Sequence, residues 1–304
     1  MIKKFLLDIL ISPYTQDSLE YNEKNNSLHN KTNSEQYTIV DDVPLLLVPL
    51  IEEKQNSSAI HSKYNTEFNY AEHYKIDAEV SDYFQCDTSI TARNDSERSH
   101  QAIINKVPLT ANSILDVGCG GAWVAKYFLA RGKTVVSMDI SIKNPVEALK
   151  QNPGPNHAAL IADVFNLPFK KNSFDVIIAS EVMEHLYDPK LFINKLLVPL
   201  KSGGKLILIT PYNEKLVYHL CVHCNKPTPA NAHLHSFNEN NITGFLPESG
   251  INYTAMHFNN KYFVRLRIYK LLHFLPFRVW LFLDKVLNKL FPKPSLFLIE
   301  VVKI

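Results

Sequence analysis

Residues Ile114-Leu115-Asp116-Val117-Gly118-Cys119-Gly120-Gly121 carry the densest chemical signal in the chain. An apolar run of β character ends in an acid and a glycine turn, and a helical pattern, Ala122 to Ala130, follows at once. A strand, a tight turn and a helix N-terminus leave backbone N–H groups open, and these receive polar ligands. Gly118 and Gly120 let the backbone take positive φ and approach a ligand with no Cβ between them. A dinucleotide fingerprint needs a third glycine three places after Gly120, and Trp123 stands there.

Four further blocks follow in order. Thr134 to Ser141 reads as the next strand and ends at Asp139, about 20 residues after the glycines, the distance at which a carboxylate meets ribose hydroxyls. His157 to Val164 is a third strand with Asp163 at its end, and Phe174 to Glu181 a fourth with Asp175 near its start. Leu200 to Pro211 adds the Gly203-Gly204 turn and a fifth strand. Over residues 114–212 these blocks resemble the motif series of class I S-adenosylmethionine-dependent methyltransferases. The resemblance implies S-adenosylmethionine as cofactor, with Gly118 and Gly120 against it, Asp139 on the ribose and Asp163 on the adenine. Asp116 would fix the glycine loop or face the methionine amine.

The elements that must position these residues alternate strand and helix, which builds a parallel doubly wound sheet. The expected fold class is α/β, a Rossmann-like seven-stranded sheet with a small N-terminal ribbon-like domain and a helical insertion before the last strand. The expected division is 1–50 for the ribbon, 51–98 for linker and lid helix, and 99–304 for the methyltransferase domain. The 304 residues, 46% hydrophobic, suffice for one large core and a small appendage. A net charge of +2 opposes whole-protein attraction to nucleic acid but leaves room for a local patch. Cys86, Cys119, Cys221 and Cys224 are too few for a disulfide scaffold, which points to a reducing compartment. Asp8 interrupts the first apolar stretch, and no apolar run reaches membrane-spanning length, so a cytoplasmic location is expected.

The stretch from Leu6–Pro13 through Tyr37–Leu47, roughly residues 5–48, reads as a short helix, a hairpin and a closing strand. It is similar to the small zinc-ribbon activator subunit of tRNA and protein methyltransferases, the other reading being a solubilising or docking cap. Where that family carries two Cys-x-x-Cys pairs, Ser12, Thr15, Asn30 and Asn33 stand here. None offers a thiolate, so the ribbon is expected to hold by packing without zinc.

Beyond the fourth strand lies Glu181-Val-Met-Glu184-His185, at the carboxyl edge where open α/β sheets bind ligands. Glu181, Glu184 and His185 converge there if the segment is helical. The segment is similar to that of ubiquinone-pathway O-methyltransferases and small-RNA 2′-O-methyltransferases, in which it binds a divalent metal such as magnesium. The competing readings for His185 are a general base or a cofactor shelf. Tyr212 is a further candidate for handling the acceptor. Cys221, Cys224, His233 and His235 form a second constellation, in which two thiolates and two imidazoles suit tetrahedral zinc. Asn225, directly after the second cysteine, fits the left-handed position of a zinc knuckle. His233 is claimed by both metal readings, and they exclude each other.

Residues 261–293 hold eight Lys/Arg against one acid, Asp284, among many large apolar side chains. A two-helix insertion at 261–294, kinked at Pro276, is expected. It lies on a membrane surface or packs its apolar face over the acceptor pocket. Either favours a hydrophobic small-molecule acceptor for transfer to oxygen or nitrogen. The rivals are methylation of tRNA, rRNA or protein with residues 1–50 as internal activator, and a non-catalytic S-adenosylmethionine-binding regulatory module.

Overall fold

The computed structural model describes residues 2–30, 35–47, 68–85, 90–272 and 274–304. Asn33, Cys86 and the expected linker over 51–67 lie outside them.

The N-terminal unit contains α1 (Lys4–Leu7) and a meander, β1 (Glu20–Asn22), β2 (Ser27–His29), β3 (Gln36–Val40) and β4 (Val43–Leu46). Its core, Leu6, Leu10, Leu28, Tyr37 and Leu46, is continuous with Leu160 and Phe169 of the main body. Ser12 stands where a ribbon would carry its first thiolate. Its Oγ accepts from the amides of Tyr14 (3.1 Å) and Thr15 (3.0 Å) and lies 3.1 Å from the Tyr37 hydroxyl. Asn30 Nδ2 donates to Thr15 Oγ1 at 2.9 Å and to Asp17 Oδ2 at 3.2 Å. Hydrogen bonds thus join these three positions to one another and to Tyr37 and Asp17.

Next come α2 (Tyr70–Val80) and α3 (Ile90–Ile104), then the alternating body. That body runs β5 (Ser113–Val117), α4 (Trp123–Leu129), β6 (Thr134–Asp139), α5 (Lys143–Gln151), β7 (His157–Ala162), β8 (Phe174–Ser180), α6 (Pro189–Leu197) and β9 (Leu200–Pro211). The strands are near-continuous apolar runs because helices cover both faces. Asp188 caps α6 by accepting from Leu191 N at 2.9 Å, and Pro189 opens it with a preset φ. Asp175 ties three strands at their entry edge, accepting from Asn112 N, Ser113 N and Lys201 Nζ at 2.8–2.9 Å. Burial alone would raise its carboxyl, but Lys201 and the amides hold it down at about 2.

A short hairpin, β10 (Tyr218–Leu220) with β11 (Pro227–Pro229), precedes β12 (Ile251–Asn260). The insertion is α7 (Lys261–Arg265), α8 (Tyr269–Leu272) and α9 (Phe277–Leu290), and β13 (Pro294–Lys303) closes the chain. Three helical pieces replace the expected two: Arg267 takes φ 56°, which stops α7, and Pro276 is the N-cap of α9 rather than a kink.

The sheet runs β1-β2-β3-β4-β7-β6-β5-β8-β9-β13-β12, with β4 through β9 parallel and β13 antiparallel to both neighbours. The seven strands from β7 to β12 are the Rossmann-like sheet. The other four extend it, because Leu45 and Leu46 pair in parallel with Ile161 and Ala162. Strand β7 would otherwise present an open hydrogen-bonding edge, and the N-terminal unit covers it.

Candidate functional site

The carboxyl ends of β5, β6, β7 and β8 open into one pocket of about 590 Å³, roofed by Tyr70 and Tyr74 of α2, by Tyr83, and by α3. Gly118 and Gly120 line it with φ of 69° and 42°. A Cβ on Gly118 would lie 2.6 Å from Val182 Cγ2, and one on Gly121 would meet the Tyr83 carbonyl oxygen. Glycine is required here both by backbone conformation and by close approach. Trp123, in place of a third glycine, stacks on His100 of α3 with ring centroids 3.9 Å apart, and both rings line the pocket. Burial lowers His100 to about 4, so its ring is neutral at neutrality.

Asp139, at the end of β6, accepts from Gly120 N (3.3 Å), Ser141 N (3.0 Å) and Asn144 Nδ2 (3.2 Å). Three donors fix the carboxylate at the pocket wall and leave further acceptor capacity. Asp116 Oδ2 is buried with no hydrogen-bond partner among the described residues. Burial, and then the charge of Asp139, raise the Asp116 carboxyl to about 8. A bound cation would relieve both effects. The glycine cradle, the fixed carboxylate and the orphaned acid suit the three polar ends of S-adenosylmethionine.

Asp163 is held from the roof of the pocket. Its Oδ1 accepts from the Tyr70 hydroxyl at 2.6 Å and from Phe165 N at 2.9 Å, while its neighbours Ala162 and Val164 line the pocket. Tyr70 therefore ties α2 to the acid. This contact joins residues 93 apart, and no local sequence signal announces it.

Glu181 takes left-handed backbone, φ 56°, and faces the pocket. Met183–His185 is a single 3-10 turn rather than an α-helix. Even so, Glu181 and Glu184 sit side by side. Desolvation, then Glu214 and Asp95, push the Glu181 carboxyl to about 7. Glu184 is 1% exposed, neither carboxylate oxygen has a hydrogen-bond partner of good geometry among the described residues, and burial beside Glu181 raises it strongly. The His185 ring packs edge-on against Tyr74 and His233 at centroid distances of 5.1 and 4.8 Å. Burial, then His233, lower His185 to about 3. Its Nδ1, 3.3 Å from Ala232 O, is the donor in the neutral ring, which leaves Nε2 as acceptor.

Tyr212 does not belong to the pocket. Its hydroxyl donates to Glu239 Oε2 at 2.8 Å and its ring meets His257 and Phe297. The bond from Tyr212 N to Ser295 O continues the pairing of β9 with β13 and so directs the side chain.

The set Cys221, Cys224, His233 and His235 is not brought together either. Both cysteines lie in the β10–β11 turn, with Cys224 exposed. Asn225 has the left-handed φ of 54°, and the turn closes through Asn225 N to Cys221 O, so backbone bonds complete it. His235 packs toward Phe237 and Phe245. His233 faces Glu214 and His185. The amides of Leu234 and His235 both donate to Glu184 O, and this pulls the loop onto the Glu184 turn. Among the described residues, the group whose ligand atoms lie within 4.8 Å of one another is Glu184, His185 and His233.

Residues 115–208 match the family model described as "Methyltransferase domain". Over 162 residues the chain is 25% identical to a Mycobacterium tuberculosis protein named "Probable S-adenosylmethionine-dependent methyltransferase", covering 52% of this chain and 56% of that one. It is 34% identical over 109 residues to the ubiquinone biosynthesis O-methyltransferase of Parvibaculum lavamentivorans, covering 34% of this chain and 42% of that protein. The chain thus spans about half the length of the curated relatives it matches. Among solved structures, the [4+2]-cyclase SpnF superposes with a TM-score of 0.52 at 13% identity, over 77% of this chain and 95% of that one. That likeness is one of fold, and fold does not set the reaction. Across residues 115–208 the chain is thus similar to that methyltransferase family, and its sheet order is that of a Rossmann-like α/β fold.

Proposed function

We propose that this chain transfers the methyl group of S-adenosylmethionine to an oxygen or nitrogen of a hydrophobic small molecule. The observation that carries the reading is a single pocket in which the glycine cradle, Asp116 and Asp139 meet the acid Glu181. The backbone at Gly118 and Gly120 would receive the donor, Asp116 its ammonium group and Asp139 its ribose. When bound, S-adenosylmethionine supplies a methyl group on a good leaving group, so the protein's part is alignment and exclusion of water.

The acceptor side is apolar, with Val164, Val182, Leu186 and Leu296 on its walls. The pocket as a whole holds Asp95, Asp116, Asp139 and Glu181, and no lysine or arginine, among the described residues. Acids without a basic partner repel a carboxylate or phosphate near the reacting atom and admit a hydroxyl or an amine. Glu181, at about 7, is ionised enough near neutrality to take the proton that such a group loses. His185, held near 3, is too weak a base for that task, and its neutral Nε2 instead accepts a hydrogen bond that orients the acceptor. The name of the Parvibaculum relative supports an oxygen acceptor.

A second reading adds a divalent ion at Glu184, His185 and His233. The two unpartnered oxygens of buried Glu184 beside two imidazoles favour it. Such an ion would lower the pKa of a coordinated acceptor hydroxyl. Metal analysis of chelator-treated and untreated protein decides it: stoichiometric metal lost in Glu184→Gln supports the ion, and metal-free active protein removes it.

The test of the main reading is label transfer. The chain is incubated with methyl-labelled S-adenosylmethionine and a cell extract, then partitioned between organic solvent and water. Label in the organic phase, reduced in Glu181→Gln, is the expected result. Label confined to RNA or protein, with salt-sensitive binding, favours the macromolecular alternative and contradicts this one. Tight binding with no transfer to any fraction makes the chain a regulatory module.

A further inference from the structure

Twenty-two large apolar side chains are exposed among the described residues, and nine of them fall within the 26 residues 266–291. They include Leu266, Leu271, Phe282, Val286, Leu290 and Phe291, each at least 43% exposed. This surface is not a core face left incomplete. The inner side of α9 is finished by Trp280, Asp284 and Asn288, all buried. Asp284 accepts from the amides of Asn259 (3.0 Å) and Asn260 (2.7 Å) and from Asn288 Nδ2 (3.0 Å), locking α9 to the end of β12. The outer side is thus a second apolar surface on a helix already anchored.

Its charge pattern names the partner. At 3.6 residues per turn, Val279, Phe282, Leu283, Val286 and Leu290 fall on one outward arc of α9. Arg278, Lys285 and Lys289, all exposed, run along one flank of that arc. The one acid of the insertion, Asp284, points inward and is spent on amides. An apolar arc bordered by cations alone complements an interface that is apolar inside and anionic at its surface. A protein partner of ordinary composition would bring both signs of charge, and nothing on this face answers a cation. No helix of the described residues is long and apolar enough to cross a membrane, which fits a helix lying in the interface plane.

The same insertion is wired to the pocket. Arg98 of α3 stacks over Trp280 with its guanidinium 4.5 Å from the ring centroid, and its Nη2 donates to Leu272 O at 3.2 Å. Its neighbours Asp95, Ser96 and Ser99 line the pocket, as do Ser295 and Leu296 directly after the insertion.

We propose that residues 261–293 seat this chain on an anionic phospholipid surface, with the outer arc of α9 immersed and its basic flank at the headgroups. Docking of this kind does not require methyl transfer. Only its use, drawing an apolar acceptor from the bilayer, rests on the reading given above.

The test is co-sedimentation of the full chain with phosphatidylglycerol vesicles and, separately, with phosphatidylcholine vesicles. Wild type binds the first strongly and the second weakly, and added salt weakens the first. Reversing the flank in Arg278→Glu/Lys285→Glu/Lys289→Glu lowers affinity for phosphatidylglycerol by about a hundredfold or more. Removing two anchors in Phe282→Ser/Leu290→Ser lowers it by about tenfold or more. Because the flank variant changes exposed side chains alone, it keeps the test open if the other fails to fold. Failure of wild type to bind phosphatidylglycerol vesicles, or binding indifferent to the flank variant, overturns the proposal. So does light scattering that shows a dimer which Phe282→Ser/Leu290→Ser dissolves, because the face then belongs to a second copy. S-adenosylmethionine affinity is measured on the same samples: its loss in wild type with vesicle binding intact removes the transfer reading and leaves docking in place.

Discussion

Replacing Gly118 by alanine probes the turn on which the whole site depends. At φ 69° an L residue costs about 1–2 kcal/mol, because its Cβ crowds the following carbonyl oxygen. The new Cβ also lies 2.6 Å from Val182 Cγ2, far inside the separation of about 3.5–4.0 Å at which carbon atoms attract. Val182 is half-buried against the core, so it must leave its rotamer, at a cost of about 0.5–1.5 kcal/mol. The expected loss of stability is therefore about 1.5–3.5 kcal/mol, read by urea unfolding of the full chain. Truncating the neighbour separates the two causes. Val182→Ala alone should cost about 1 kcal/mol, and in the double variant the clash is gone while the strained φ remains. The double variant should thus be more stable than the sum of the single losses by about 1 kcal/mol. Additivity within about 0.3 kcal/mol would refute the close approach of the turn to Val182. A Gly118→Ala protein as stable as wild type would refute the strained φ as well.

Two pH effects follow from the acids of the pocket. Asp116 holds its proton more tightly folded than unfolded, so its contribution to stability is complete below about pH 4 and is lost as pH rises through about 8. Asp116→Asn should flatten the fall in stability across that window, and the unfolding free energy at its two ends measures it. If S-adenosylmethionine places its ammonium on this acid, binding at pH 7 must expel the proton. Calorimetry in buffers of different ionisation enthalpy should then show proton release, absent in Asp116→Asn. Glu181 works as a base only when ionised, so kcat/KM should rise with pH through about 7. In Glu181→Gln that rise should vanish, and a profile unchanged by the substitution would remove Glu181 from the role of base.

The sequence exposed most clearly what depends on local pattern. Apolar runs that carry Asp116 and Asp139 at their ends are legible because a buried parallel strand admits little else, and its last residues meet the ligand edge. The glycine turn is legible for a related reason, since only glycine tolerates both its φ and its neighbours. Pairing across long separations is not written this way. Nothing near Leu45 says that it will pair with Ile161, and nothing near Tyr70 says that it will bond Asp163. The metal constellation failed on the same ground. Cys221, Cys224, His233 and His235 are close in sequence, but a hairpin holds the cysteines outward. The Glu184 carbonyl meanwhile draws the following loop inward, toward a different acid. Tyr212 was misplaced because strand pairing with β13, rather than proximity to the motif, decides where its ring goes. The outward apolar arc of α9 became visible only when Asp284 and Asn288 proved to face inward, against a simple hydrophobic-inside reading.

The measurement that tests the central claim most directly is calorimetric binding of S-adenosylmethionine to wild type and to Asp139→Ala. A melting curve for each protein confirms that both are folded. Asp139 holds the Gly120 amide, Ser141 N and Asn144 in place, so its removal loosens the cradle and deletes the ribose acceptor together. One-to-one binding by wild type, weakened by about a hundredfold or more in the folded variant, is the predicted result. Equal binding by both proteins would move the donor to another site, and no binding by folded wild type would contradict the account at its base.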